Sequence, residues 1–109
     1  MNNKMNIEFI IKNVKTWVKK IQLQYNEFIS IETIMDENQV YRVILHINSY
    51  LAQIVVAEEN YAPYNNIAFE VVGMENGKAN LLYCWYDDKK DDLNTIIEHL
   101  DIGLLMALK

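Results

Sequence analysis

Arg42, His46 and Glu32 come closest, by residue type and spacing, to a chemical site. Arg42 and His46 stand two residues either side of Ile44. In an extended strand that spacing puts both side chains on one face. A guanidinium, an imidazole that titrates near neutrality and a carboxylate would make a small charged pocket for a polar ligand or a proton transfer. That is one functional expectation: a small-ligand-binding protein or enzyme with a pocket near Arg42, His46 and Glu32. The plainer role for the three is ion pairing between neighbouring strands.

Other chemistries lack their parts. Gly73, Gly77 and Gly103 cannot be written into a glycine-rich phosphate loop. Ser30 and Ser49 sit in no nucleophile-elbow pattern. Arg42 is the lone arginine, so one chain cannot build a multi-arginine clamp. Cys84, His46 and His99 are zinc-ligand types, but no two have ligand spacing. Cys84, between Tyr83 and Trp85, reads as a small buried strand residue rather than an activated thiol. His99 reads as a solvated residue on the polar flank of a helix. The run Asp87, Asp88, Lys89, Lys90, Asp91, Asp92 lacks the alternating oxygen ligands and central glycine of a calcium loop. No catalytic residue, cofactor site or metal ligand is therefore assigned.

Recognition is better supplied than catalysis. Tyr61 and Tyr64 flank Pro63 in a polar loop, and tyrosine offers a rigid apolar contact with a polar tip. Tyr83 and Trp85 alternate in a strand pattern. Ile102, Leu105 and Met106 point away from the main stripe of the last helical pattern, which is apolar around most of its circumference beyond Asp101. These seven residues are the protein-binding candidates.

The elements that must position them follow from periodicity. Ile7, Ile10, Ile11, Val14, Val18 and Ile21 recur at helical spacing after Asn6, a good N-cap, and predict a helix over about residues 6–23. Ile29, Ile31 and Met35 alternate with polar residues as a strand, and residues 36–39 make a polar break. Strands are expected at 40–47, 50–57, about 66–72 and about 79–86. Asn48–Ser49 and Asn76–Gly77 suit two-residue hairpins, since asparagine and glycine tolerate positive φ. Leu93, Ile96, Ile97, Leu100 and Leu104 predict a closing helix capped by Asp91 or Asp92. Residues 1–109 thus read as a single α+β domain: an N-terminal helix, a five-stranded antiparallel meander and a C-terminal helix.

Turn geometry fixes which residues share a face. The Asn48–Ser49 turn pairs Ile47 with Tyr50, Leu45 with Ala52 and Val43 with Ile54 on the core side. The other side then pairs His46 with Leu51, Ile44 with Gln53 and Arg42 with Val55. Pairing Met35 with Tyr41 adds Phe28, Ser30, Glu32 and Ile34 to that second side. The Asn76–Gly77 turn pairs Phe69 with Cys84 and Val71 with Leu82, which places Leu81, Tyr83 and Trp85 there too. Only Ser30, Glu32, Arg42, His46, Gln53 and Glu70 are polar on this second face, whereas a solvated face is mostly polar. It must be covered by a helix, a second copy or another partner.

The chain is 109 residues with net charge −5, divided as +4 over residues 1–25 and −9 over the rest. An acidic body repels nucleic acid and suits a basic protein partner. Lys12, Lys15 and Lys19 share a helix flank with only Trp17 interleaved, which reads as a solubilising face. A lone cysteine fits a reducing compartment, and no run reaches the roughly 20 apolar residues of a membrane span. The expectation is a cytoplasmic, acidic protein-binding module without catalytic machinery, of the kind an inhibitor, immunity protein or phage accessory protein represents. It would be a homodimer, self-associating through the second sheet face and the C-terminal helix.

Overall fold

The computed structural model describes residues 6–58, 66–88 and 90–109. Helix α1 (Ile7–Gln24) is followed by strands β1 (Ile29–Glu37), β2 (Val40–Ile47), β3 (Tyr50–Ala57), β4 (Ile67–Glu75) and β5 (Lys78–Tyr86), then helix α2 (Leu93–Leu108). The strands form one antiparallel sheet in sequence order, β1-β2-β3-β4-β5.

Each helix starts where a side chain satisfies an orphan amide. Asn6 Oδ1 accepts from the Phe9 amide at 2.8 Å, and Asp92 Oδ1 from the Thr95 amide at 2.9 Å. The β2–β3 and β4–β5 hairpins turn where the backbone enters the left-handed region, at Asn48 (φ 52°) in one and at Asn76 (φ 54°) and Gly77 (φ 77°) in the other. In the first of these, Ile47 faces Tyr50 and the whole β2–β3 register follows as the turn dictates. Past β5, buried Asp87 accepts from the amides of Asn66 and Ile67 at 2.7 and 2.8 Å, tying the exit of β5 to the entry of β4.

Both helices pack on the same face of the sheet. Helix α1 lies against β1 and β3, α2 against β4 and β5, and the Trp17 indole Nε1 donates to Asp101 Oδ1 at 2.8 Å between the helices. Val43, Leu45, Ile54, Phe69 and Val71 are fully buried between sheet and helices. Trp17 belongs to this core and not to the lysine flank. Gly103 lets α2 approach, because the Phe69 ring occupies the space a Cβ would need.

Two β-bulges correct the face assignments drawn from turn geometry. In β1, Thr33 pairs with Val43 but Met35 with Arg42, leaving Ile34 as the extra residue. Met35 therefore opposes Arg42 rather than Tyr41, whose partner is Asp36. In β5, Val72 pairs with Leu81 but Val71 with Tyr83, leaving Leu82 extra. A bulge moves every residue beyond it to the opposite face. Phe69 thus faces Trp85 instead of Cys84, and Val71 faces Tyr83 instead of Leu82.

Candidate functional site

Three cross-strand rows span all five strands on the helix-free face, read directly from the pairings. One row runs Ser30, His46, Leu51, Val72, Leu81. The next runs Glu32, Ile44, Gln53, Glu70, Cys84. The third runs Met35, Arg42, Val55, Ala68, Tyr86. Nothing in the chain's helices covers these residues. Leu51 keeps 41% of its surface exposed and Leu81 55%.

Polar groups on this face bond along the sheet. His46 Nε2 lies 2.9 Å from Glu32 Oε1, and Arg42 donates to Gln53 Oε1 at 3.2 Å. The Tyr86 hydroxyl donates to Glu70 Oε2 at 2.7 Å. Arg42 and Glu70 therefore each bond an uncharged partner, and neither meets an opposite charge among the described residues. Between these polar pairs lies a depression of about 190 Å³ lined by Ile44, Leu51, Gln53, Glu70 and Val72. Pockets for small ligands start at roughly 300 Å³.

Arg42, His46 and Glu32 are thus neighbours on an open face. Only His46 and Glu32 touch each other. Cys84 is exposed on this face, opposite Glu70, and is not the buried strand residue expected.

Tyr83 and Trp85 leave the second face and join the helix side, because the Leu82 bulge flips them. They pack with His99 of α2. The Tyr83 hydroxyl lies 2.6 Å from His99 Nδ1, and the Trp85 ring stacks on the imidazole with centroids 4.3 Å apart and planes 7° apart. His99 is half-buried, not merely solvated. Burial raises the Tyr83 phenol above its ordinary pKa, and the neighbouring Cys84 adds to the rise. This triangle fixes α2 on β5.

Ile102 and Leu105 are exposed on the outside of α2, at 40% and 54%, and Met106 is half-buried. That ridge and the helix-free sheet face point in opposite directions, so one contact uses one of them. Tyr61 and Tyr64 lie outside the described residues.

A larger depression, about 330 Å³, lies between α1 and the β1–β2 turn, lined by Glu8, Ile11, Lys12, Lys15, Asp36, Glu37 and Asn38. Lys15 Nζ pairs with Asp36 Oδ1 there at 2.9 Å and lies 5.8 Å from the Tyr41 ring centroid. Burial, with Asp36 second, raises the Tyr41 phenol. The lysine flank is thus partly engaged within the chain.

Among the described residues no three His, Cys, Asp or Glu side chains group as metal ligands. Cys84 and His46 share the open face, while His99 belongs to α2 and packs against β5 on the opposite side of the sheet. No helix of the described residues is long and apolar enough to cross a membrane. Comparisons with protein-family models, with curated proteins and with solved structures each find no match.

Turn counting missed three residues of the open face: Met35, Cys84 and Tyr86. Ile34–Met35 and Leu81–Leu82 fall at the bulges, but tandem apolar residues also fill unbulged stretches such as Val43–Leu45 and Ile54–Val56, so the sequence pattern alone does not mark them.

Proposed function

We propose that this chain is a protein-binding module that docks through the helix-free face of its sheet and performs no catalysis itself. One observation carries the reading. Ile44, Leu51, Val55, Val72 and Leu81 form an apolar field whose polar neighbours already bond one another in the plane. A partner laid on that field removes apolar surface from water without stranding those polar groups. The shallow depression is too small to favour the small-ligand alternative. On this face Glu32 and Glu70 stand against Arg42 and His46, so the chain's acidity does not reserve the face for a basic partner. A role among inhibitors, immunity proteins or accessory factors of a phage fits a module of this kind.

The test compares two positions. A photoreactive residue at Leu51, on the face, is expected to crosslink to protein in a lysate of the producing cells. One at Leu23, 82% exposed on α1, is expected not to. Equal labelling at both positions, or none at either, overturns the reading.

A further inference from the structure

We infer that the occupant of the helix-free face is a second copy of this chain, related by a two-fold axis that runs along β3. The inference rests on the docking reading above and names its partner. Two features of the face carry it: size and charge.

The strands are eight or nine residues long. At about 3.3 Å per residue and about 4.8 Å between strands, five of them present roughly 650 Å² in projection. Side-chain relief brings this close to the ~800 Å² that each partner contributes to a standard stable interface. Sheets of this kind stack about 10 Å apart with inner side chains interdigitating.

Charge then selects the axis. A two-fold contact between faces has two simple orientations. With the axis along the rows, each strand lies on its own copy. Glu70 then faces Glu70. Like charges opposed across an interface are repulsive. With the axis along β3, β2 of one copy lies over β4 of the other. Glu70 then lies over the partner copy's Ile44, between its two basic neighbours on that strand, Arg42 and His46. Reciprocally, Arg42 lies over Ala68, whose small side chain leaves the guanidinium room to reach Glu70 two residues away. The two charges that meet no opposite charge among the described residues thereby meet each other twice. Leu51, Gln53 and Val55 lie along the axis, each over its own copy, so apolar pairs of Leu51 and of Val55 flank a central glutamine pair.

Sedimentation equilibrium on the full chain tests this. Wild type is expected to dimerise, and Leu51→Glu to be monomeric with an unchanged circular dichroism spectrum. Arg42→Glu alone and Glu70→Arg alone each oppose like charges and are expected to weaken the dimer about tenfold or more. Mixing those two variants makes both cross-contacts Glu–Arg again, so a heterodimer of near wild-type affinity is expected. The same holds for the double variant with itself. A dimer that survives Leu51→Glu, or charge variants whose mixture is not restored, overturns the inference. So does a wild-type chain that stays monomeric at every concentration. If that monomer still crosslinks selectively from position 51, the docking reading stands with a different protein as occupant. If it does not, both fall.

Discussion

A Cβ on Gly103 would lie 2.2 Å from Cε2 of Phe69 and 2.7 Å from its Cζ. The ring is fully buried and cannot retreat into solvent. Helix α2 therefore reaches the sheet at its closest point only because residue 103 has no side chain. Glycine costs a helix interior about 1 kcal/mol relative to alanine. Here the close approach outweighs that cost. Gly103→Ala is expected to destabilise the fold by about 1–3 kcal/mol, the usual cost of overpacking. Urea denaturation checks it, and Phe69→Leu in the same chain should recover part of the loss. A neutral or stabilising Gly103→Ala would mean that α2 sits further from the sheet.

Trp17 and Asp101 join the two helices through a single hydrogen bond of 2.8 Å. Removing the acceptor leaves the indole N–H of buried Trp17 without its partner. Asp101→Ala is expected to cost about 1–3 kcal/mol, and Asp101→Asn, which keeps an oxygen in place, less than about 1 kcal/mol. Equal losses in the two variants, measured as urea midpoints, would indicate that the carboxylate acts through its charge.

Tyr83 is easier to ionise in the unfolded chain than in the folded one, since burial and then Cys84 hold its pKa above 10.0. Its contribution to stability is fully present below pH 10.0 and is lost as pH rises through the folded value. Tyr41 acts in the same direction, through burial and then Asp36. Urea midpoints are expected to fall above pH 10, and Tyr83→Phe to flatten that decline. A variant that declines as steeply as wild type would remove Tyr83 from the account.

Asp92 has the opposite sign. Chiefly the backbone hydrogen bond from Thr95 lowers its pKa below the ordinary 3.8. Its cap is therefore worth most above that value and is lost as pH falls through the depressed one. Asp92→Ala is expected to be less stable than wild type at neutral pH, with the gap closing as the solution is acidified. A gap independent of pH would show that the cap is not made by the carboxylate.

The helices, the order of the strands and the β2–β3 register follow directly from residues in the chain. Asn6 and Asp92 mark the helix starts, and Asn48 sets the turn whose pairing fixes which side of β2 carries Val43, Leu45 and Ile47. The outer strands were harder to read, because turn counting assumes an unbroken ladder. It fails at Ile34 and at Leu82. The second failure moved Tyr83 and Trp85 from the open face to the core side and put Cys84 in their place. The covering of the sheet was not legible at all. Nothing in the periodicity of α1 or α2 says that both choose the same side. That choice is made by Trp17, Asp101, Gly103 and Phe69 acting across more than thirty residues of intervening sequence.

The same two bulges bear on how large any assembly can become. Ile34 and Leu82 both belong to outermost strands, where an unbroken backbone would invite another molecule's strand to extend the sheet. Lengthening a sheet in that way has no last member and leads toward fibrils. With the outer ladders interrupted, such growth is arrested, whereas a two-fold contact consumes its own surface and ends with the pair. Concentrated solutions of this protein are thus expected to hold particles of one finite size.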